Sequence, residues 1–372
     1  MSARFLTAVS GRAFNMRDRF GREIDYMRIS VIDSCNLNCY YCNPQDNNKN
    51  CQAINILSVK KVLCIVRAAT RLGITHFRLT GGEPLLHPQI DEMVSQIKKI
   101  PGVRSVSLTT NAVLLAQHAK QLKEAGIDSI NVSLDTIDAS EYEYITKKPL
   151  LDKVEHGIDA AIECGIRVKI NAVLTPQTDV VALTRYASKK GTDIRFIEMM
   201  PVGEGHTNGV EPYKKVIGAL LEVYGTPCHI DTENREEINS GYNNADNGPA
   251  EYYSFHGLNI RVGLIQAIHG KFCDTCNRIR VTADGRLMPC LGSSVTMDLV
   301  PDSCEFTDDL EKDFVIAQAL KAAIKAKPGC HNFNDNAVTY TKTTETKTTE
   351  IKTTELKAAE VNAARNMSRI GG

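Results

Sequence analysis

Six of the chain's twelve cysteines fall into two tight groups. In "DSCNLNCYYC", Cys35, Cys39 and Cys42 are spaced four and then three positions apart, with Tyr40 and Tyr41 just ahead of the last. In "CDTCNRIRVTADGRLMPC", Cys273 and Cys276 are followed by Cys290 after fourteen residues. A closed structural zinc site takes four ligands, so each triad is one short. A cluster of four irons and four sulfides needs one ligand per iron, and three cysteines leave its fourth iron open. Zinc with a distant fourth ligand is the competing reading of the first group, and half a zinc ribbon that of the second. The other six, Cys51, Cys64, Cys164, Cys228, Cys304 and Cys330, are scattered and read as buried or free thiols.

Cations form the second chemical signal. Arg278 and Arg280 lie two residues apart directly after Cys276, so on a strand both point to one face. Their guanidinium forks suit a phosphate-bearing ligand. Arg28, Arg78, Lys169 and Arg195 stand inside apolar, strand-like runs, where a charge seldom goes unpaired. Lys plus Arg and Asp plus Glu both total 44, so no overall field draws in nucleic acid or an anionic membrane. No apolar run reaches the roughly 20 residues that span a bilayer. The first 22 residues hold five arginines and one acid, which leaves a targeting segment open. Their apolar stretch is too short for a secretory signal, so reduced, metal-ligating thiols are expected rather than disulfides.

Such residues have to be carried by a scaffold. Strand-like runs at 24–32, 75–81, 105–111, 129–135, 167–174 and 193–200 alternate with helical spacing, as in Val59, Val62, Val66 and Ala69 after a capping Ser58. Four helices stop at a glycine that leads into a strand, so Gly73, Gly126, Gly165 and Gly191 are expected left-handed caps. Strand, helix, glycine and strand again means parallel α/β units. Six strands point to an incomplete (β/α)6 TIM-like barrel, with a doubly wound sheet left open by pattern alone. Ligands then belong at the carboxyl ends of the strands. The first cysteines follow strand one, "GGEP" follows strand two, "TTN" ends strand three and "SLD" ends strand four. The expected organisation is an N-terminal extension (1–22), the partial barrel (23–238) and a small C-terminal iron–sulfur domain (239–336). A low-complexity linker (337–360) and a Gly-Gly tail (361–372) complete it, the linker containing the pentads "TKTTE", "TKTTE", "IKTTE" and "LKAAE".

With Tyr41 before the third cysteine and "GGEP" after the next strand, the chain resembles the radical S-adenosylmethionine (SAM) superfamily. Within it, "RISVIDSCNLNCYYC", "RLTGGEPLL", "LTTNAVLL", "INVSLD", "IRFIEMMPVG" and "FCDTCNRIRVTADGRLMPCL" resemble the GTP 3′,8-cyclase family of molybdenum-cofactor biosynthesis. The resemblance implies two 4Fe-4S clusters, the first on Cys35, Cys39 and Cys42 and the second on Cys273, Cys276 and Cys290. SAM would chelate the first, near Tyr41, Gly81, Gly82, Glu83, Asn111, Ser133 and Met200. The glycines would let the chain approach its methionine moiety, and Glu83 would pair with its ammonium. GTP would be held by Arg28, Arg78, Thr109, Lys169, Arg195, Arg278, the backbone at Ile279, and Arg280, with Arg28, Arg278 and Arg280 as the catalytic set. A 5′-deoxyadenosyl radical would take hydrogen from C3′ of the ribose, and C3′ would then attack guanine C8. The same likeness implies a lyase of the cytoplasm, a homodimer reduced by a flavodoxin- or ferredoxin-like donor, and a tail, Gly371–Gly372, that reaches the active site. Ser34 and Asn43 depart from the family's usual arginine and methionine, and the pentad repeat is foreign to it. A peptide-modifying radical SAM maturase and a zinc-binding interaction protein are the rival readings.

Overall fold

The structure is a computed structural model that describes residues 16–42, 54–202, 210–230, 248–293, 296–299, 309–331 and 333. Asn43, Cys51, Cys304, the pentad repeat, the Gly-Gly tail and the first fifteen residues lie outside these.

The six expected strands form and run parallel: β1 (Tyr26–Ser30), β2 (His76–Thr80), β3 (Ser105–Thr110), β4 (Ser129–Ser133), β5 (Val168–Val173) and β6 (Asp193–Ile197). Between them lie α1 (Val59–Thr70), α2 (Ile90–Lys98), α3 (Leu115–Glu124), α4 (Ala139–Thr146), α5 (Leu151–Glu163) and α6 (Val180–Lys190). Ser58 caps α1 by accepting from the Lys61 amide at 3.3 Å, as the sequence leads one to expect. Gly73, Gly126, Gly165 and Gly191 all take positive φ, between 64° and 87°.

After α7 (Pro212–Tyr224) come β7 (Cys228–Ile230), β8 (Glu251–Ser254), β9 (Val262–Ile265), β10 (Arg278–Val281), β11 (Arg286–Met288) and β12 (Met297–Asp298), then α8 (Asp309–Ala326). These later strands do not build a sheet of their own. The whole set forms one 12-stranded sheet in the order β12-β11-β10-β1-β2-β3-β4-β5-β6-β9-β8-β7. A bare six-stranded sheet would leave unpaired amides and carbonyls along both edges. Here β10 pairs in parallel with β1, and β9 in parallel with β6, so the C-terminal third of the chain extends the barrel on both sides. The partial barrel is therefore wider than the six strands legible in sequence.

Side chains alternate across the strands. Met27, Ile29, Phe77, Leu79, Leu108, Ile130, Val132, Ile170 and Phe196 are completely buried in the hydrophobic core. The intervening positions, including Arg28, Arg78, Thr109, Ser133, Asn171 and Arg195, line a cavity. A closed eight-stranded barrel fills its lumen with branched apolar side chains. This lumen is polar and cationic instead, and a cavity of about 320 Å³ remains.

Candidate active site

The first cysteine loop leaves the carboxyl end of β1 and is latched to the turn after β2. The Gly82 amide donates to the Ile32 carbonyl at 2.7 Å and the Glu83 amide to the Ser34 carbonyl at 2.8 Å. A Cβ on Gly81 would lie 2.5 Å from the Ile32 oxygen, and one on Gly82 only 2.2 Å from that of Ser34. The two glycines are thus required by the chain's own cysteine loop, and both also line the cavity. Glu83 is buried and accepts from the Leu85 amide at 3.0 Å, the Thr110 hydroxyl at 2.7 Å and the Asn111 amide at 2.7 Å. Burial nevertheless pushes its carboxyl up to about 7. Asn111 in turn donates to Asn36 Oδ1 at 2.7 Å, which ties the end of β3 to the same loop.

The Tyr41 hydroxyl donates to Asp135, whose other oxygen accepts from the Val173 amide at 2.8 Å. Asp135, the last residue of "SLD", thereby holds Tyr41 against the ends of β4 and β5. Burial raises the Cys35 thiol to about 11 and the Cys42 thiol to about 12, Asp135 adding to the second, and it drives Cys39 higher still. Bare thiolates are therefore costly here, and only a strongly positive ligand would make three of them stable together.

The cations occupy adjacent strands. Arg280, Arg28 and Arg78 form one row across β10, β1 and β2, while Arg278 sits opposite Tyr26 in the row below. Burial, with repulsion from neighbouring arginines, lowers Arg28 and Arg78 to about 10 and takes Arg280 well below its usual range. Arg28 and Arg78 stay charged at neutral pH. Neutral oxygens steady the wall: Arg78 Nε donates to Ser107 Oγ at 3.0 Å and Arg195 Nε to Asn171 Oδ1 at 2.9 Å. Arg28 Nε is buried and finds no hydrogen-bond partner among the described residues. Positive charge held this way is available to an anion.

Thr109, Ser133 and Met200 line the cavity with the arginines and both cysteine triads. Lys169 and Ile279 do not. Lys169 lies two residues earlier on β5 than the cavity-lining Asn171, and burial with repulsion from Arg195 lowers its amine to about 6. The Ile279 side chain is 1% exposed and points into the core, so only its backbone is left for a ligand.

The second triad is assembled from two places. Cys273 and Cys276 precede β10, whereas Cys290 follows β11, and the antiparallel β10–β11 pairing folds it back. Burial alone would raise the Cys276 thiol, but Lys327 and Arg278 more than offset it and the net shift is downward. Lys327 Nζ lies 3.4 Å from Cys276 Sγ. Neither it nor His331, which also lines the cavity, stands in any motif that the sequence makes legible.

Comparison with known proteins decides the family. A family model for the radical SAM superfamily matches residues 29–183, and one described as Molybdenum Cofactor Synthesis C matches residues 192–333. A GTP 3′,8-cyclase of Clostridium perfringens (strain SM101 / Type A) is 36% identical over 321 residues, covering 86% of this chain and 95% of its own. Another, from Clostridium acetobutylicum, is 36% identical over 337 residues, covering 88% and 98%. The chain belongs to the GTP 3′,8-cyclase family. Among solved structures, Streptococcus suis SuiB bound to S-adenosylmethionine has a TM-score of 0.55 at 16% identity over 82% of this chain and 68% of its own, a likeness of fold.

Membership in the GTP 3′,8-cyclase family, and so in the radical SAM superfamily, implies a 4Fe-4S cluster and SAM. The first triad fits them: three thiols of raised pKa line the cavity beside a buried carboxyl. Among the described residues no group of three or more His, Cys, Asp and Glu side chains converges tightly enough to hold a single metal ion. A cubane asks for something else, because each cysteine takes a different iron and the thiols ring a space rather than meet at a point.

Proposed function

We propose that this chain is a radical SAM GTP 3′,8-cyclase, joining ribose C3′ of GTP to guanine C8 in molybdenum-cofactor biosynthesis. The carrying observation is that two cysteine triads and five arginines line a single cavity. Cys35, Cys39 and Cys42 would hold the SAM cluster, and Cys273, Cys276 and Cys290 a second one facing the base. The chemistry that cluster and SAM would supply when bound there is a 5′-deoxyadenosyl radical able to take the C3′ hydrogen.

The protein's own residues bind, orient and exclude water. Arg28, Arg78, Arg278 and Arg280 hold the triphosphate, with Thr109, Arg195 and the Ile279 backbone completing its contacts. Lys169, held near neutrality by burial, gains from the approach of that negative charge. Glu83, Asn111, Ser133, Tyr41 and Met200 surround SAM. A neighbouring ammonium group draws Glu83 from its raised pKa into the ionised state. Fixing both ends of GTP brings C3′ within about 3–3.5 Å of the reacting atom, and a closed pocket keeps other hydrogen donors from the radical. The reading treats residues 23–238 as the radical-generating part and 239–336 as the substrate side. It also includes lyase chemistry, a homodimer, a flavodoxin- or ferredoxin-like donor and a cytoplasmic location. Among the described residues no helix is long and apolar enough to cross a membrane.

The decisive experiment is anaerobic incubation with SAM, dithionite and GTP. Arg278→Leu and Arg280→Leu should each abolish cyclised product while SAM cleavage persists. Cyclisation that survives both substitutions overturns the assignment. Iron analysis of the parent should give about eight irons per chain, and a zinc-loaded, colourless protein would overturn the cluster reading.

A further inference from the structure

Two buried cations from outside its own motif fasten the second triad. The Lys327 ammonium is 2% exposed and uses all three of its N–H bonds inward. They reach Cys276 Sγ at 3.4 Å, the Arg278 carbonyl at 2.8 Å and the Pro289 carbonyl at 3.0 Å. One side chain thereby joins the Cys276 arm, the start of β10 and the residue before Cys290. Arg22, from the segment ahead of β1, completes the set. Its Nη1 donates to the Cys273 carbonyl at 2.7 Å and the Gly329 carbonyl at 2.9 Å, and its Nη2 to the Pro328 carbonyl at 2.6 Å. Asp18 fixes Arg22 through its Nε at 2.6 Å. Arg22 therefore binds the third cysteine arm and also anchors the two residues that follow Lys327.

The first triad is held differently. Cys35, Cys39 and Cys42 lie within eight residues, on a loop latched by backbone hydrogen bonds to the Gly82–Glu83 turn. The second triad spans eighteen residues and two strands, and its arms meet through two buried cations drawn from the far ends of the fold. Burying an ammonium against one sulfur and two carbonyls is unfavourable unless negative charge resides at that sulfur. A metal-ligating thiolate supplies it.

We infer that Arg22 and Lys327 form a cationic clasp that preassembles the second cysteine triad, with the Lys327–Cys276 hydrogen bond also tuning the cluster bound there. The inference rests on the reading that this triad holds a 4Fe-4S cluster. Partners of ligating groups typically change metal affinity about 10–100-fold, and hydrogen bonds to ligating sulfurs shift cluster potentials. Lys327 is a positioning residue, since its three hydrogen bonds go to Cys276 and to two backbone carbonyls.

The test isolates each site. In a Cys35→Ser/Cys39→Ser/Cys42→Ser background only the second cluster loads, and in a Cys273→Ser/Cys276→Ser/Cys290→Ser background only the first. Lys327→Met in the former should speed iron loss to a chelator about 10–100-fold and move the cluster's midpoint potential to more negative values. Lys327→Arg, which keeps the charge, should retain most of the potential. Arg22→Met should speed iron loss with a smaller change in potential. In the latter background Lys327→Met should change neither quantity. If Lys327→Met leaves the second cluster's release rate and potential at their parental values, the clasp is refuted. It is refuted equally if the first cluster is weakened to the same extent, since that would be general loss of structure. If the parental second triad binds no iron at all, the cluster reading itself falls, which is a different result from either.

Discussion

Replacing Gly82 by alanine tests whether the two halves of the SAM side are physically latched. The added Cβ would lie 2.2 Å from the Ser34 oxygen, 2.5 Å from its carbonyl carbon and 2.6 Å from the Asp33 oxygen, all backbone atoms. Carbon and oxygen settle at about 3.3 Å or more, so the strands of chain must part by about 1 Å. That movement stretches the Gly82–Ile32 and Glu83–Ser34 hydrogen bonds, now 2.7 and 2.8 Å, beyond useful length. Losing two buried bonds costs about 2–4 kcal/mol together. The displaced carbonyl belongs to the residue just before Cys35, so the loss falls on the cluster loop. A shift of that size costs roughly a hundredfold in a positioned reaction. Thermal unfolding of the apo protein, with iron content and SAM cleavage of the loaded one, reads both effects. Gly218, within α7, has open space where an added methyl group would stand, with nothing within 4 Å, so Gly218→Ala should stabilise by about 0.5–1 kcal/mol. Parental melting and SAM cleavage in Gly82→Ala, or equal responses at both glycines, would refute the latch.

Asp313, buried on α8, pairs with Arg67 at 2.9 Å and Arg71 at 3.3 Å on and just past α1. Asp313→Ala should lower unfolding stability by about 1–3 kcal/mol, moderated because both arginines are partly solvated, and unchanged urea denaturation would show that α8 is held otherwise. Glu83 titrates near 7 when folded, above its ordinary value, so the unfolded chain binds fewer protons between about 4.5 and 7. Apo stability should therefore fall across that window by about 3 kcal/mol and then level off, and Glu83→Gln should flatten the slope in pH-dependent melting. Lys169 titrates near 6 when folded against 10.5 ordinarily, so its contribution runs the other way, with stability rising from about pH 6 to 10.5. Lys169→Met should remove that rise, and an alkaline slope identical to the parent's would place the titrating group elsewhere.

What the sequence made legible was local. Strand runs, the Ser58 cap and four glycine terminators each depend on residues a few positions apart, and all appear as expected. The clustering of the first cysteines, "GGEP", "TTN" and "SLD" followed from a rule about strand ends, and residues of each do line one cavity. What escaped was long-range. That β9 and β10 would seek opposite edges of one sheet depends on pairing across hundreds of residues, for which no local period exists. Asp135, Arg22 and Lys327 matter because of partners 94, 251 and 51 residues distant. Lys169 shows a finer limit: it shares a strand face with Asn171 but lies two residues earlier, and no local pattern reports that depth.

The polar lumen explains why a chain with no net charge still concentrates cations in one place. Stability comes from the outward face, where Met27, Ile29, Phe77, Leu79 and Phe196 are fully enclosed. That apolar layer frees the inward face from packing duty, so arginines can be placed there, where burial first and mutual repulsion second lower the pKa of each. The same low-dielectric setting that makes the row unfavourable alone strengthens its attraction for an incoming anion. On the proposed reading, an anion would relieve part of that repulsion, and the effect would depend on the arginines standing in register. Register is supplied by the parallel pairing of β10 with β1, so the C-terminal segment that brings the second cysteines also completes the anion wall. One strand added to one edge does both, which is why the two sites share a cavity.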